Sequence, residues 1–316
     1  MGELTPGQML DHYELLDTIA YSGMAAIFRA RDTEDGKIVA LKIPHLQYAS
    51  DIVFHQRFLR EEQIGLGLDH PGIIKVMRAG EKSKLYLVME YVEGELLGKM
   101  LRREHRLPVP KAVDFAVQIS DILVYLHDRN VVHRDLKPDN VMIVTDGRVK
   151  LIDFGIAMDA ALRKITWGGL SQPVGTPDYM SPEQIKGHRG STRTDIYSLG
   201  IILYEMLAGR VPFHGESVYT AMQAKMLEAP VPLRKLRPEI SVQLEDIVLH
   251  AIERNPDDRF GSALDLREAL SHQDKVTPVD RVSGRQRKSR LALCLWRLRA
   301  LTLGISPPRG ERPHNE

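Results

Sequence analysis

The chain of 316 residues contains a single cysteine, Cys294, and only 6% aromatic residues. One cysteine cannot form an intramolecular disulfide, and such scarcity is typical of proteins in a reducing compartment such as the cytosol. The N-terminus, MGELTPGQML, lacks the basic and apolar segments of a secretory signal, and no run reaches the ~18 apolar residues that a membrane span needs. These absences predict a cytoplasmic protein that folds without disulfides.

A large excess of charge of one sign is also absent, because 43 Lys and Arg nearly balance 42 Asp and Glu. This balance excludes a surface that is basic throughout, so we expect no specific nucleic-acid partner. The balance hides a local excess, since residues 281–316 hold nine Lys or Arg against two Glu. That segment carries +7 and, because the whole chain carries +1, the remainder carries −6.

Residues 271–316 are polar, basic and without clear periodicity, which predicts a flexible C-terminal tail. Its leucines point nearly all round a helical wheel, and two arginines interrupt the apolar run. Three roles stay open for this tail. It contacts a membrane surface or another anionic partner, which would place the protein peripherally at the membrane; it packs onto the acidic remainder of the chain; or it is a disordered end.

The hydrophobic pattern divides the rest of the chain into two parts. Four strand patterns and one helical pattern, FHQRFLREEQIGLGL, lie before the bend at Glu93-Gly94. Longer helical patterns follow it, in residues 109–129, 194–209 and 241–254. We therefore expect an α+β fold with an N-terminal extension (1–12), a small β-rich lobe with one main helix (13–92) and a larger, mostly helical lobe (93–270).

Two motifs carry the chemistry: VVHRDLKPDNVMIV at residues 131–144 and LIDFGIA at residues 151–157. Each motif alone is a weak signal, but their order and spacing resemble the protein kinase family, in particular its bacterial eukaryotic-like (Hanks-type) serine/threonine members. The resemblance covers about residues 13–270. It implies the bilobal protein kinase fold, ATP and Mg²⁺ as cofactors, with Mn²⁺ as an alternative metal, and protein substrates with serine or threonine acceptors.

The resemblance also implies a role for each polar residue of these motifs. Asp135 is the expected base for the acceptor hydroxyl, and Lys137 is expected to contact the transferring phosphate. Asn140 and Asp153 are the expected metal ligands, because both offer the hard oxygen atoms that Mg²⁺ prefers. Phosphoryl transfer depends mainly on positioning and charge neutralisation, so these groups must converge on the γ-phosphate.

A lysine and a glutamate of the first lobe complete the expected catalytic set. Lys42 in VALKIP matches the strand lysine that grips the α- and β-phosphates, and Glu61 matches its helical carboxylate partner. Glu62 is the alternative partner, because a slip of one residue rotates a helical side chain by ~100°. The glutamate that does not pair with Lys42 is expected on a solvated helix face.

Apolar residues near these motifs predict an adenine pocket. By resemblance, Met89 guards the pocket, and the backbone from Glu90 to Val92 binds the adenine. The expected purine walls are Ile19, Ile27, Ala40 and Met142. Without the family, each of these four is equally well explained as a core residue.

The stretch IAYSGMAAIF, residues 19–28, stands where the family has a glycine-rich phosphate loop. Ala20, Ser22 and Ala25 occupy the three glycine positions, and Gly23 lies at a variable position. Backbone amides still approach a phosphate between small side chains, but alanine adopts positive φ only at a cost. We expect a stiffer loop that binds ATP more weakly than an all-glycine loop.

The segment from Asp153 to Glu183 lacks periodicity and ends in VGTPDYMSPEQ, which resembles the substrate-facing end of a kinase activation segment. Arg134 precedes the expected base, an arrangement typical of kinases that are switched by loop phosphorylation. Thr166 and Ser171 are therefore the expected sites of autophosphorylation, and Thr176 is expected to brace the catalytic loop.

The same resemblance predicts a buried ion pair between Glu183 and Arg259, and a contact from Asp195 to the catalytic loop. The leading hypothesis is an ATP-dependent serine/threonine protein kinase. A small-molecule kinase is one alternative, against which VGTPDYMSPEQ argues as a platform for a polypeptide. A pseudokinase that binds nucleotide as a scaffold is the other, which the altered phosphate loop keeps open.

Overall fold

The computed structural model of the chain describes residues 4–21, 23–48, 51–153 and 177–279. Some predicted features lie outside these residues: Ser22, Thr166, Ser171, Thr176 and the basic tail from residue 280 onwards.

Six antiparallel strands form the sheet of the N-terminal lobe. They are β1 (Met9–Leu10), β2 (Tyr13–Tyr21), β3 (Ala25–Asp32), β4 (Ile38–Pro44), β5 (Val76–Met77) and β6 (Leu87–Glu90). The strand order across the sheet is β1-β2-β3-β4-β6-β5. Strands β2, β3, β4 and β6 coincide with the four predicted strands, whereas β1 and β5 are two residues long and too short to show an alternating pattern.

Alternation along β4 sends successive side chains to opposite faces of this sheet. Leu41 packs with Leu15 and Phe28 on one face, where all three are buried. Ala40 belongs to a second apolar cluster with Phe58 of the neighbouring helix. Since Lys42 lies two residues from Ala40, its side chain emerges on the face that meets this helix.

That helix, α1 (Ile52–Leu66), begins at Asp51, whose carboxylate accepts the N–H groups of Val53 and Phe54. It buries Phe58, Glu61 and Gly65, which are spaced as one face of a helix. A carboxylate on such a buried face is costly unless a cation neutralises it. The packing of α1 therefore requires a basic partner for Glu61.

Helices dominate the C-terminal lobe. They are α2 (Leu97–Glu104), α3 (Val109–Asp128), α4 (Pro182–Ile185), α5 (Thr192–Ala208), α6 (Val218–Leu227), α7 (Leu233–Leu236), α8 (Val242–Ala251) and α9 (Ala263–Ser271). The predicted helices correspond to α1, α3, α5 and α8. Every residue from Thr194 to Tyr204 in α5 is buried, so this helix is the centre of the lobe. None of the helices in the described part of the chain is long and apolar enough to cross a bilayer.

A second sheet of three short strands was not predicted. It consists of β7 (Gly94–Leu96), β8 (Val141–Val144) and β9 (Val149–Leu151), paired antiparallel in that order. The first chemical motif ends with β8, and the second begins at the last residue of β9, so Asn140 directly precedes β8 and Asp153 follows β9 by two residues. This sheet brings the two expected metal ligands to one end of a hairpin.

The expected ion pair between Glu183 and Arg259 joins α4 to the chain after α8. Arg259 Nη1 lies 2.8 Å from Glu183 Oε1, and Nη2 lies 2.7 Å from Oε2. Thr194 Oγ1 also donates to Glu183 Oε1, at 2.9 Å, and both charged residues are buried. Burial alone would raise the pKa of Glu183, but hydrogen bonds and charge from Arg259 outweigh it and lower the pKa.

Replacing Arg259 by Met leaves the Glu183 carboxylate buried without its cation. We expect the free energy of unfolding at pH 7 to fall by about 3 to 5 kcal/mol, measured by urea titration. Arg60→Met, on the exposed face of α1, should change it by less than ~0.5 kcal/mol. A loss below about 1 kcal/mol for Arg259→Met would contradict the assignment.

The same pair predicts an acid dependence of stability. Because the folded-state pKa of Glu183 is lowered, the pair stabilises the fold fully above the unfolded pKa near 4.5. This contribution is lost as the pH falls from there through the folded-state pKa. Arg259→Met should therefore show a shallower loss of stability over that acid range than the wild type.

Candidate active site

Lys42 is the meeting point of three separate elements. Its Nζ lies 2.7 Å from Oε1 of Glu61 on α1 and 3.0 Å from Oδ1 of Asp153 after β9. The Lys42 and Glu61 side chains are 14% and 6% exposed, so water contributes little to neutralising them. The ammonium group therefore links the sheet, the helix and the second motif.

The charges of Lys42 and Asp153 support each other, whereas burial works against the charge of Glu61. Burial alone would lower the pKa of Lys42, but the carboxylates of Asp153 and Glu61 outweigh burial and raise it. Burial would likewise raise the pKa of Asp153, but the charge of Lys42 outweighs it and lowers the pKa. Burial raises the pKa of Glu61 against the opposing charge of Lys42. Lys42 and Asp153 are consequently both charged at neutral pH.

Glu62, the alternative partner of Lys42, forms an ion pair with Lys82 instead. The Glu62 side chain is only 15% exposed, so the expectation that the unpaired glutamate lies on a solvated face is wrong. Lys82 Nζ also donates to the carbonyl of Tyr86, at 2.9 Å. Two successive glutamates thus bind two lysines in different directions, which defines the rotation of α1 about its own axis.

The first motif forms a compact loop around Asp135. Lys137 Nζ donates to Asp135 Oδ2 at 2.8 Å. Asn140 Nδ2 donates to the Asp135 carbonyl at 2.8 Å and to its Oδ2 at 3.2 Å. The three polar residues are therefore in mutual contact, with Asn140 in the 3-10 turn Pro138–Asn140.

Asp195, in the buried helix α5, holds the loop from behind. Its Oδ2 accepts the backbone N–H of His133 at 2.9 Å, and its Oδ1 accepts that of Arg134 at 2.8 Å. His127 Nε2 lies 2.8 Å from the same carboxylate. Arg134 has φ of 65°, a left-handed conformation that costs a non-glycine residue energy, and Gln184 Nε2 donates to its carbonyl at 2.8 Å. Its backbone is thus held on both sides.

Asn140 and Asp153 meet the basic requirement for a shared divalent cation. The backbone N–H of Ile152 donates to the carbonyl of Asn140 at 3.1 Å, which brings the residue before Asp153 against the turn that carries Asn140. A carboxylate and an amide oxygen are hard donors that suit Mg²⁺ or Mn²⁺. The donor set therefore fits the expected metal.

Most of the predicted adenine pocket falls into one apolar cluster. Ile27, Ala40, Met89 and Val92 all belong to it, and Ala40 pairs with Met89 across β4 and β6. Met142 lies on β8 opposite Leu96. The Glu90 carboxylate accepts from Lys75 N and Lys150 Nζ, whereas Val92 makes no backbone hydrogen bond within the described residues.

The phosphate-loop stretch is a hairpin between β2 and β3. Ala20 pairs with Ile27, Tyr21 pairs with Ala26, and the Ile19 residue is 44% exposed. The carbonyl of Gly23 accepts a hydrogen bond from the Tyr48 hydroxyl at 3.2 Å. A Cβ added to Gly23 would meet no atom of the described residues within 4 Å apart from its chain neighbours, so the space beside this residue is open.

Sequence reasoning missed several residues that support the site. His127 and Gln184 bind the Asp195–Arg134 region, and Lys225 of α6 contacts the backbone after the second motif. The signal in each case is a polar residue inside or beside an apolar run, which indicates burial but not the partner.

Known proteins with similar sequences point to one family. Residues 13–273 match the protein kinase domain family. The serine/threonine-protein kinase PknB of Mycobacterium leprae is 36% identical over 271 residues, 84% of this chain and 43% of that protein. PrkC of Bacillus subtilis, another serine/threonine-protein kinase, is 38% identical over 256 residues, 80% of this chain and 39% of that protein.

Solved structures that resemble this chain are also protein kinase domains. The kinase domain of Mycobacterium tuberculosis PknI superimposes with a TM-score of 0.68 at 27% identity, covering 86% of this chain and 100% of that domain. The chain spans about two fifths of the length of the curated relatives it matches.

The contact from Asp195 to the loop predicts a measurable coupling. Asp195→Ala removes the acceptor of two backbone N–H groups and the restraint on Arg134, so the free energy of unfolding should fall by ~3 kcal/mol. Arg134→Gly relieves the positive φ, and in its background the cost of Asp195→Ala should shrink by at least ~0.5 kcal/mol. Urea titration of the four proteins measures this coupling; additivity within ~0.3 kcal/mol would sink the idea that Asp195 restrains this backbone.

Proposed function

The chain belongs to the protein kinase family, and on that premise we propose that it transfers the γ-phosphate of ATP to serine or threonine hydroxyls of proteins. The observation that carries the proposal is the convergence of Lys42, Glu61 and Asp153 beside a loop that carries Asp135 and Asn140. Relatives named as serine/threonine-protein kinases support the acceptor class.

In this proposal Asp135 orients the acceptor hydroxyl and accepts its proton, as its position in the first motif suggests. Lys137, 2.8 Å from that carboxylate, offers its ammonium to the oxygen atoms of the transferring phosphate. Lys42 binds the α- and β-phosphates, and Glu61 fixes the direction of the Lys42 side chain. These side chains supply positioning and charge, which is the main demand of phosphoryl transfer.

Asn140 and Asp153 are the proposed metal ligands, with Mg²⁺ as the expected ion and Mn²⁺ as the alternative. The bound metal supplies charge neutralisation on the phosphate oxygens. The adenine is proposed to lie between Ile19, Ile27, Ala40 and Met142. Met89 guards this pocket, and the backbone from Glu90 to Val92 is the proposed contact for the adenine edge.

Loop phosphorylation is the proposed regulation of this activity. Thr166 and Ser171 follow the second motif, and Arg134, adjacent to Asp135, is the proposed partner of a phosphate there. The basic segment 281–316 is the proposed contact for an anionic partner or a membrane surface, through its net charge of +7.

Transfer of label from γ-labelled ATP tests the proposal. We expect the wild type to label a protein acceptor such as myelin basic protein, and both Asp153→Ala and Asp135→Asn to reduce the rate by ~10²-fold or more. Asp274→Asn, at an exposed position in the C-terminal lobe, should behave as the wild type. Mass spectrometry of the same samples locates label on Thr166 or Ser171 and should find none in Asp135→Asn.

Other outcomes of this assay identify the alternatives. Label in small metabolites but not in protein would indicate a small-molecule kinase. Nucleotide binding with no transfer above the Asp153→Ala level would indicate a scaffold.

The alanines of the phosphate loop predict weak ATP binding. Replacing Ala20 and Ser22 together by Gly gives this backbone conformational freedom that a Cβ restricts, so the KM for ATP should fall by about two- to fivefold. Initial rates at saturating acceptor measure this. Ala269→Gly, in α9, controls for a general effect of added glycine, and an unchanged KM in the double variant would refute the explanation.

A further inference from the structure

Lys225, on α6, is a buried lysine that the proposed chemistry does not use. The residue is 3% exposed, and its ammonium nitrogen lies 2.9, 2.6 and 2.7 Å from the carbonyl oxygens of Pro177, Asp178 and Met180. A lysine ammonium has three N–H donors and no acceptor. Each donor therefore has its own backbone carbonyl, all three within one turn of the chain.

This arrangement is not an ordinary ion pair. No carboxylate oxygen lies within 4 Å of Lys225 Nζ in the part of the chain that the structure describes. Burial lowers the pKa of Lys225 to about 7, with the charge of Asp178 opposing the shift. Three carbonyl acceptors favour the charged form, and the Tyr197 ring lies 5.6 Å from the nitrogen. Burying a cation costs free energy unless hydrogen bonds compensate for the lost water, and here all three hydrogen bonds of the ammonium go to one segment of backbone.

That segment lies between α6 and α5. The Tyr179 hydroxyl donates to Glu205 Oε2 at 2.7 Å, and the Tyr179 carbonyl accepts from Ser198 Oγ at 2.9 Å. Burial raises the pKa of Tyr179, and the charge and hydrogen bond of Glu205 add to the shift. The segment 177–180 is thus held by α5 on one side and by Lys225 on the other. It leads directly into α4, where Gln184 Nε2 donates to the carbonyl of Arg134, the residue before Asp135.

The nucleotide side of the site is built from other elements. Lys42 and Glu61 lie on β4 and α1, and the adenine cluster lies between the N-terminal sheet and α1. Within the described residues, the hydrogen-bond and ring partners of Lys225 are Pro177, Asp178, Met180 and Tyr197, none of which lies on β4 or α1. A role of Lys225 in catalysis must therefore act on the acceptor side.

We propose that Lys225 is a positioning residue for the polypeptide acceptor, because its ammonium holds the 177–180 backbone as a platform beside Asp135. The inference rests on the proposed protein kinase function. Loss of the ammonium leaves the carbonyls of Asp178 and Met180 without this donor, while the Pro177 carbonyl keeps only the N–H of Met180, at 3.1 Å. The segment therefore shifts and the acceptor hydroxyl is presented less well. ATP binding does not depend on this contact.

The test measures kinetics of the full chain with Mg-ATP and myelin basic protein. Lys225→Met keeps the length of the side chain and removes the ammonium. We expect it to raise the KM for the protein acceptor by on the order of tenfold, the effect of losing hydrogen bonds from a charged group. The KM for ATP should stay within about twofold.

Two further variants sharpen the result. Lys225→Arg keeps the charge and the donors and should recover the acceptor KM to within about threefold of the wild type. Lys235→Met removes an exposed lysine from α7 and should behave as the wild type. Thermal unfolding of every variant separates a local from a general effect.

An unchanged acceptor KM in Lys225→Met overturns the inference. So does a parallel loss of ATP affinity and thermal midpoint, or failure to fold, in both Lys225→Met and Lys225→Arg, because Lys225 is then a general stabilising residue. A wild type that transfers no phosphate to protein fails the proposed function itself, and is thereby distinguished from a failure of the Lys225 assignment.

Discussion

The site depends first on one buried carboxylate, that of Asp195. It lies in the helix that forms the centre of the C-terminal lobe, and it accepts two successive backbone N–H groups from the loop that carries Asp135. A buried carboxylate in this setting requires donors, and a loop with a residue at positive φ requires restraint. The loop N–H groups supply the donors that the Asp195 carboxylate requires, and the carboxylate supplies the restraint that the loop requires. The loop is thereby fixed to the core helix.

The second constraint is electrostatic and joins the two lobes. Lys42 comes from the N-terminal sheet, whereas Asp153 follows the small hairpin of the C-terminal lobe, and 111 positions separate them in the sequence. Their charges raise the pKa of the lysine and lower that of the aspartate, each against the effect of burial. Glu61 adds the helix to this arrangement, and its buried face explains why α1 packs where it does.

Much of the fold could be predicted, because the long elements carry strong patterns. Strands β2, β3, β4 and β6 and the helices α1, α3, α5 and α8 follow directly from periodicity, and the motifs carry the resemblance to protein kinases. The sheet of β7, β8 and β9 was not predicted, because a strand of three or four residues is too short to show an alternating hydrophobic pattern. The partners of Glu62 and Lys225 could not be predicted for another reason. The sequence shows that each is a polar residue in a helix, but tertiary packing decides which residue it contacts. Lys82 lies 20 residues from Glu62, and the 177–180 backbone lies about 45 residues from Lys225, so no local pattern around Glu62 or Lys225 indicates these partners.

The two neighbouring glutamates of α1 limit how this helix moves. Glu61 and Glu62 project about 100° apart around the helix axis, and each is tied to a lysine on a different element. Two ion pairs at different angles around the helix axis oppose rotation of α1 about that axis, but they do not prevent the helix from tilting. Rotation of α1 about its axis would break both ion pairs, whereas movement of α1 together with the segment that carries Lys82 would break only the pair with Lys42. The ion pair with Lys82 therefore couples α1 to the connection between β5 and β6, so a displacement of one would carry the other with it.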